Sequence, residues 1–177
     1  MHNPILLAIA LQDWQRYSAY ALKAREVAAA LARASSKHLH VLSVYEYEGL
    51  EASDLPADVL VPYREDMMRR TDDAMQQNLE EYVAPLRTDA IEVSKILRVG
   101  NPRVEIVKVA TEIDVDLLII GSHSKRGFFD IFFSGTAQQV GKHAPCTVLF
   151  VAPNTGTRSA TLTPPDGEPW ILPWQGC

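Results

Sequence analysis

Cysteine is scarce: the 177 residues hold two, Cys146 and Cys177. They make neither a disulfide framework nor a paired zinc-ligand spacing, so a reducing cytoplasm is the expected compartment. No apolar run approaches the ~18 residues that a membrane span needs. Ile5 to Leu11 is apolar, but no basic segment precedes it and Gln12-Asp13 follows at once, so it reads as a strand and not as a signal peptide. A basic excess is missing as well. The net charge of −5 leaves no electrostatic footprint for nucleic acid or an anionic membrane. The chain also lacks a GxxxxGK[ST] loop, a GxGxxG opening a helix after the first strand, and a GxSxG elbow. No two carboxylates form a recognisable acid/base pair, and Ser134 with His143 is poor support for a hydrolase. The expectation is a protein that is not an enzyme.

What is present is organised around Leu117 to Val151. Leu117 to Ile120 is too short for a helix and unbroken enough for a strand buried on both faces. Gly121 ends it, and a loop of small and basic residues follows: Ser122, His123, Ser124, Lys125, Arg126 and Gly127. An aromatic run from Phe128 leads to Ser134-Gly135-Thr136, which open a helix carrying Ala137, Val140 and Ala144. Pro145 stops that helix, and Thr147 to Val151 reads as another buried strand. A strand, a small-residue loop and a helix start together present free backbone N–H groups and a positive helix end to a phosphate.

The remaining chain supplies the frame. Ile5 to Leu11 is an apolar first strand; Asp13 is placed to cap a helix with Tyr17, Ala21, Ala24, Ala28 and Leu31 as its stripe. Ser35-Ser36 ends that helix and His38 to Val44 is a second strand. Glu46 to Val61 is acidic, contains Pro56 and shows little periodicity, so it reads as a surface loop. Tyr63 to Leu86 reads as a helix with Met68, Met75, Leu79, Tyr82 and Leu86 facing the core. Ile91 to Val99 is a third strand. Gly100-Asn101-Pro102 gives a turn and a first-turn proline, and Ile106, Val107, Ala110 and Ile113 form the next stripe.

Five strands alternating with four helices predict an α/β fold with an open parallel sheet and helices on both faces. A ligand in such a sheet sits beyond the carboxyl ends of the strands that flank the reversal of chain direction. Those ends are Ala10-Leu11 and Ile120-Gly121.

The Leu117–Val151 stretch resembles the universal stress protein family. Its nucleotide-binding members carry Gly, two residues, Gly, nine residues, then Gly-Ser or Gly-Thr. His143-Ala144-Pro145-Cys146 and the strand after it fix the alignment. Gly121 then matches the first motif glycine, while Ser124 and Ser134 stand at the second and third, and Gly135 takes the hydroxyl position. The resemblance implies a Rossmann-like sheet of the adenine nucleotide alpha hydrolase type, with strand order 3-2-1-4-5, which the crossover logic also favours. It implies an adenine nucleotide, ATP or AMP, with or without Mg. Ala10 occupies the position of the family aspartate near base and ribose, and Val44 matches a backbone contact to the base. It also implies a stress-response role and pairing through the last strand.

Each site group has a plainer alternative. Ser134 can be an ordinary N-cap, because a cap and an anion site use the same N–H groups. Lys125 and Arg126 either neutralise phosphate or are simply solvated. His123 is either an exposed loop histidine or a phosphate contact. The division expected is a domain over residues 1–152 and a proline-rich tail over 153–177. In that tail Trp170, Ile171, Leu172 and Trp174 form an apolar knot, which is either disordered or docked on this domain or a partner subunit. A homodimer is expected through Thr147 to Val151, an apolar edge without proline or charge. The alternative function is a dimeric interaction module that has lost the ligand.

Overall fold

The computed structural model describes residues 4–10, 17–47, 56–88, 91–121 and 135–151. Its elements alternate in chain order: β1 (Ile5–Ile9), α1 (Ala19–Ser35), β2 (Leu39–Tyr45), α2 (Ala57–Thr88), β3 (Val93–Val99), α3 (Pro102–Glu112), β4 (Leu117–Gly121), α4 (Gly135–His143) and β5 (Thr147–Val151). The strands form one sheet in the order β3-β2-β1-β4-β5, and every pairing between neighbours is parallel. The sequence-based sheet and its order are therefore observed.

Alternation along the strands sorts the core into two layers. Ile5, Leu7 and Ile9 of β1 pack with Ala21, Ala24 and Ala28 of α1 and with Leu79, Tyr82 and Leu86 of α2. Leu6 and Ala8 turn the other way, onto Ile106, Val109 and Ala110 of α3 and Val140 of α4. β1 is buried at all five positions because both faces are covered, which is why its sequence is an unbroken apolar run. The alanine stripe of α1 lets that helix lie close against the sheet.

Two boundaries differ from the sequence-based expectation. The first helix begins after Ser18, whose hydroxyl accepts the Ala21 N–H at 3.1 Å; Asp13 lies outside the described residues. Tyr17, expected in the helical stripe, precedes the helix and donates its hydroxyl to the Asn78 carbonyl at 3.0 Å.

The second difference is larger. α2 starts at Ala57, inside the stretch expected to be a loop, and runs for 32 residues. Pro56 sits just ahead of the first turn, where no N–H donor is needed, and its carbonyl accepts the Leu60 N–H at 2.9 Å. Pro62 lies inside the helix, on an exposed position where water can take the carbonyl it leaves unpaired. At 1.5 Å per residue the helix is about 48 Å long, roughly twice what a seven-residue strand spans. Its second half accordingly carries the buried Leu79, Tyr82, Val83 and Leu86, whereas Met68 and Met75 are only half-buried.

At the edges, β3 carries Lys95 and Arg98, paired with Glu80 of α2 and Glu112 of α3. β5, at the opposite edge, carries no charge. None of the described helices is long and apolar enough to cross a membrane.

Candidate functional site

The chain leaves β1 at one end of the sheet and the next strands are laid down on opposite sides of it, β2 on one and β4 on the other. In open parallel sheets, ligands sit beyond the carboxyl ends of the strands that flank such a reversal. The floor of that region follows from register. Ala8 is level with Leu42 of β2 and Ile120 of β4, and all three face α3 and α4. Two residues further, Ala10 and Val44 continue the same face past the carboxyl end, Ala10 exposed and Val44 half-buried against that layer. Ala10, Val44 and Ile120 are thus brought to one face of the sheet edge. All three are apolar, so they offer contact area and neither a proton nor a charge.

The end of β2 is held from two directions. The Gly100 N–H donates to the Tyr45 carbonyl at 2.9 Å, tying it to the turn after β3. Asp72 of α2 accepts hydroxyl hydrogen bonds from Tyr45 at 2.5 Å and Tyr47 at 2.7 Å, whose rings pack edge to face. Burial, then the bond to Asp72, pushes the Tyr45 phenol well above its ordinary pKa, so it remains a neutral donor. This clamp fixes the backbone at Val44. No sequence motif signals it, since Tyr45 and Asp72 are 27 positions apart.

Gly121 ends β4 close against α1. A Cβ there would lie 3.2 Å from the Ala24 Cβ and 3.2 Å from the Tyr20 carbonyl, both on α1. The missing side chain therefore points at the helix behind the strand, on the face opposite Ile120. On that face the close approach is that of α1. Gly135 begins α4, and Thr136 is half-buried in its first turn. Leu11, His123, Ser124, Lys125, Arg126 and Ser134 lie outside the described residues, so their place relative to this edge is not described.

Other polar groups lie away from this edge. His38 and His40 stack at 4.4 Å near the amino end of β2, with the His38 ring bonded to the Ser94 hydroxyl at 2.7 Å. Burial holds His40 below the usual histidine pKa, and His38 beside it adds to the effect. No group of three or more histidine, cysteine or carboxylate side chains is set to hold a metal among the described residues.

An open, all-parallel five-stranded sheet in the order β3-β2-β1-β4-β5 with helices on both faces defines a Rossmann-like α/β domain. A model of the universal stress protein family matches residues 1–152, and the chain belongs to that family. It is 28% identical over 89 residues to universal stress protein MJ0577 of Methanocaldococcus jannaschii, a match spanning 50% of this chain and 55% of that protein. The fold is shared with solved universal stress proteins. One from Archaeoglobus fulgidus in complex with dAMP matches with a TM-score of 0.57 at 22% identity, over 85% of this chain and 98% of its own. Another, in complex with cAMP, matches with a TM-score of 0.59 at 18% identity, over 86% of this chain and 99% of its own.

Proposed function

We propose that this protein is a cytoplasmic stress-response domain that binds an adenine nucleotide, ATP or AMP, at the carboxyl edge of β1 and β4. The observation that carries the reading is the apolar floor of Ala10, Val44 and Ile120 at the reversal point, followed in the chain by the start of α4 at Gly135. An apolar platform suits a base, and the first turn of a helix suits phosphate. The dAMP and cAMP complexes of two proteins with the same fold support the same class of ligand. In this reading Leu11, Gly121, His123, Ser124, Lys125, Arg126, Ser134, Gly135 and Thr136 join Ala10, Val44 and Ile120 around the nucleotide, the Cβ direction of Gly121 being turned toward α1. Mg would reach the site with ATP. In this reading the domain acts by binding and not by catalysis.

The ribose side gives a direct test. Ala10 stands where the family aspartate is expected and is exposed, so Ala10→Asp should leave the fold intact. A hydrogen bond from a ribose hydroxyl to a carboxylate contributes about 1.5–3 kcal/mol, so AMP should bind about tenfold tighter or more by calorimetry. Unchanged or weaker binding would remove the ribose from the neighbourhood of β1.

We also place a homodimer contact along β5. The two sheet edges are unlike: β3 is guarded by Lys95 and Arg98, whereas Thr147 to Val151 leaves uncharged backbone groups free to pair. Light scattering at micromolar concentration should give twice the chain mass, and a monomer would count against the β5 interface.

We further propose a domain over residues 1–152 and a tail over 153–177. β5 is the last strand among the described residues, so a chain truncated after Pro153 should retain one cooperative unfolding transition. Loss of that transition would make the tail part of the core.

A further inference from the structure

A groove of about 620 Å³ runs along the outer surface between α3 and α4. Val104 and Val107 line it from α3, together with Arg103 and Lys108; Gln139 and His143 line it from α4. None of these residues belongs to the carboxyl edge of β1 and β4. Val104 is 60% exposed, an unusual position for a valine on a helix whose other apolar residues face the core. The lining holds two permanent cations and no carboxylate. Lys108 has only a long contact of 3.7 Å with Glu105 one turn back, both side chains lying on the same helix. The His143 Nδ1–H donates to the Gln139 carbonyl at 2.8 Å, which leaves its Nε2 side toward solvent. The surface is therefore an apolar strip with a positive border, and it fits an acidic segment that carries large apolar side chains.

The C-terminal tail contains such a segment. Residues 164–174 read PPDGEPWILPW: Asp166 and Glu168 precede Trp170, Ile171, Leu172 and Trp174, and no cation interrupts them. The tail departs from Val151 at the end of β5, and β5 lies directly beneath α4, where a Cβ on Gly141 would meet the Phe150 ring at 3.5 Å. Eighteen residues lie between Val151 and Trp170, a reach of roughly 60 Å when extended, whereas packed helices lie about 8–10 Å apart. The four prolines of the segment, Pro164, Pro165, Pro169 and Pro173, restrict the free chain and reduce the entropy lost on ordering it.

We propose that the α3–α4 groove is the docking site of the chain's own segment 164–174, its indoles against Val104 and Val107 and its carboxylates facing Arg103 and Lys108. The strap binds whether or not the sheet edge holds a nucleotide. Neither half is stable alone in water: the tryptophans would be solvated and the valines left open. Together they exclude water over one patch, and the charges set the direction in which the segment lies.

The test uses the full chain and its tryptophan fluorescence, with a Trp170→Phe/Trp174→Phe chain supplying the Trp14 contribution to subtract. The tail indoles should emit to the blue of free tryptophan and resist acrylamide, independently of protein concentration. Val104→Asp should shift that emission to the red and expose it to the quencher, with the thermal midpoint of the sheet domain unchanged. Arg103→Glu/Lys108→Glu should do the same, and adding Asp166→Lys/Glu168→Lys should restore the protected signal. Three results would overturn the proposal. One is wild-type emission at the free-tryptophan position, and another is emission unaffected by Val104→Asp. The third is protection that appears only as concentration rises, which would assign the groove to a second copy or another protein.

Discussion

Tyr82→Ala is expected to lower the unfolding free energy by about 3–5 kcal/mol, the range found when a large aromatic is removed from a closed core. Tyr82 is the largest of the fully buried side chains and joins the two helices that cover one face of the sheet. Its hydroxyl donates to the Ala21 carbonyl of α1 at 2.6 Å, its ring meets Tyr17 edge to face at 5.2 Å, and the Arg25 guanidinium lies 5.2 Å above it. Arg25 also donates to the Tyr82 carbonyl at 3.0 Å, so one residue of α2 is held through its ring, its hydroxyl and its backbone. Urea unfolding should show a much earlier midpoint for the alanine variant. Tyr82→Phe keeps the ring and loses the bond to Ala21, which costs about 1 kcal/mol. A phenylalanine variant as damaged as the alanine one would contradict the packing account.

The same phenol gives a dependence on pH. Burial raises its pKa above the ordinary value, against an opposing effect from Arg25. An unfolded phenol begins to ionise near pH 10, while the folded one stays protonated, so above that pH the unfolded chain binds fewer protons. The contribution is therefore fully present below about pH 10 and declines as pH rises beyond it. The decline should be shallower in Tyr82→Phe.

Gly121→Val should cost about 1–3 kcal/mol in ligand-free protein, as overpacking of a filled core does. The first carbon of the new side chain would already stand 3.2 Å from Ala24 and from the Tyr20 backbone, and neither can rotate away. The two branches of valine then need space that α1 occupies. Denaturant unfolding without nucleotide measures this cost, and it separates two roles for the same glycine. A glycine that serves only a ligand would leave ligand-free stability unchanged and weaken binding alone. Weak binding in the valine variant must accordingly be compared at temperatures where the variant is still folded.

These two residues mark how far the sequence could be read. The central strands were legible because burial on both faces leaves a simple trace: Ile5 to Ile9 and Leu117 to Ile120 are short apolar runs between turn signals, and Thr147 to Val151 reads the same way although only Val151 is fully buried at that edge. The turn at Gly100-Asn101-Pro102 was equally plain, since Gly100 has φ of +136°, Asn101 caps α3 through the Arg103 N–H and Pro102 takes the first helical position. The start of α2 was hidden because prolines and acidic residues at a helix's exposed beginning have the composition of a loop. The direction of Gly121 was hidden for another reason. A glycine in a motif says that some Cβ is unwelcome, and only tertiary structure says whether a ligand or a helix takes the space. The Tyr45–Asp72–Tyr47 clamp and the α3–α4 groove depend on residues distant in sequence meeting in space, and periodicity carries no record of that.

The central claim is that the carboxyl edge of β1 and β4 holds an adenine nucleotide. Its most direct measurement is calorimetry of the full chain with ATP, ADP and AMP, alongside mass spectrometry of small molecules released from the purified protein. The account predicts saturable heat with at least one of the three, a thermal midpoint that rises with its concentration, and tighter AMP binding by Ala10→Asp. No heat and no thermal shift at millimolar concentrations of all three, in a protein that remains folded, would contradict it and leave the dimeric interaction module as the reading of this domain.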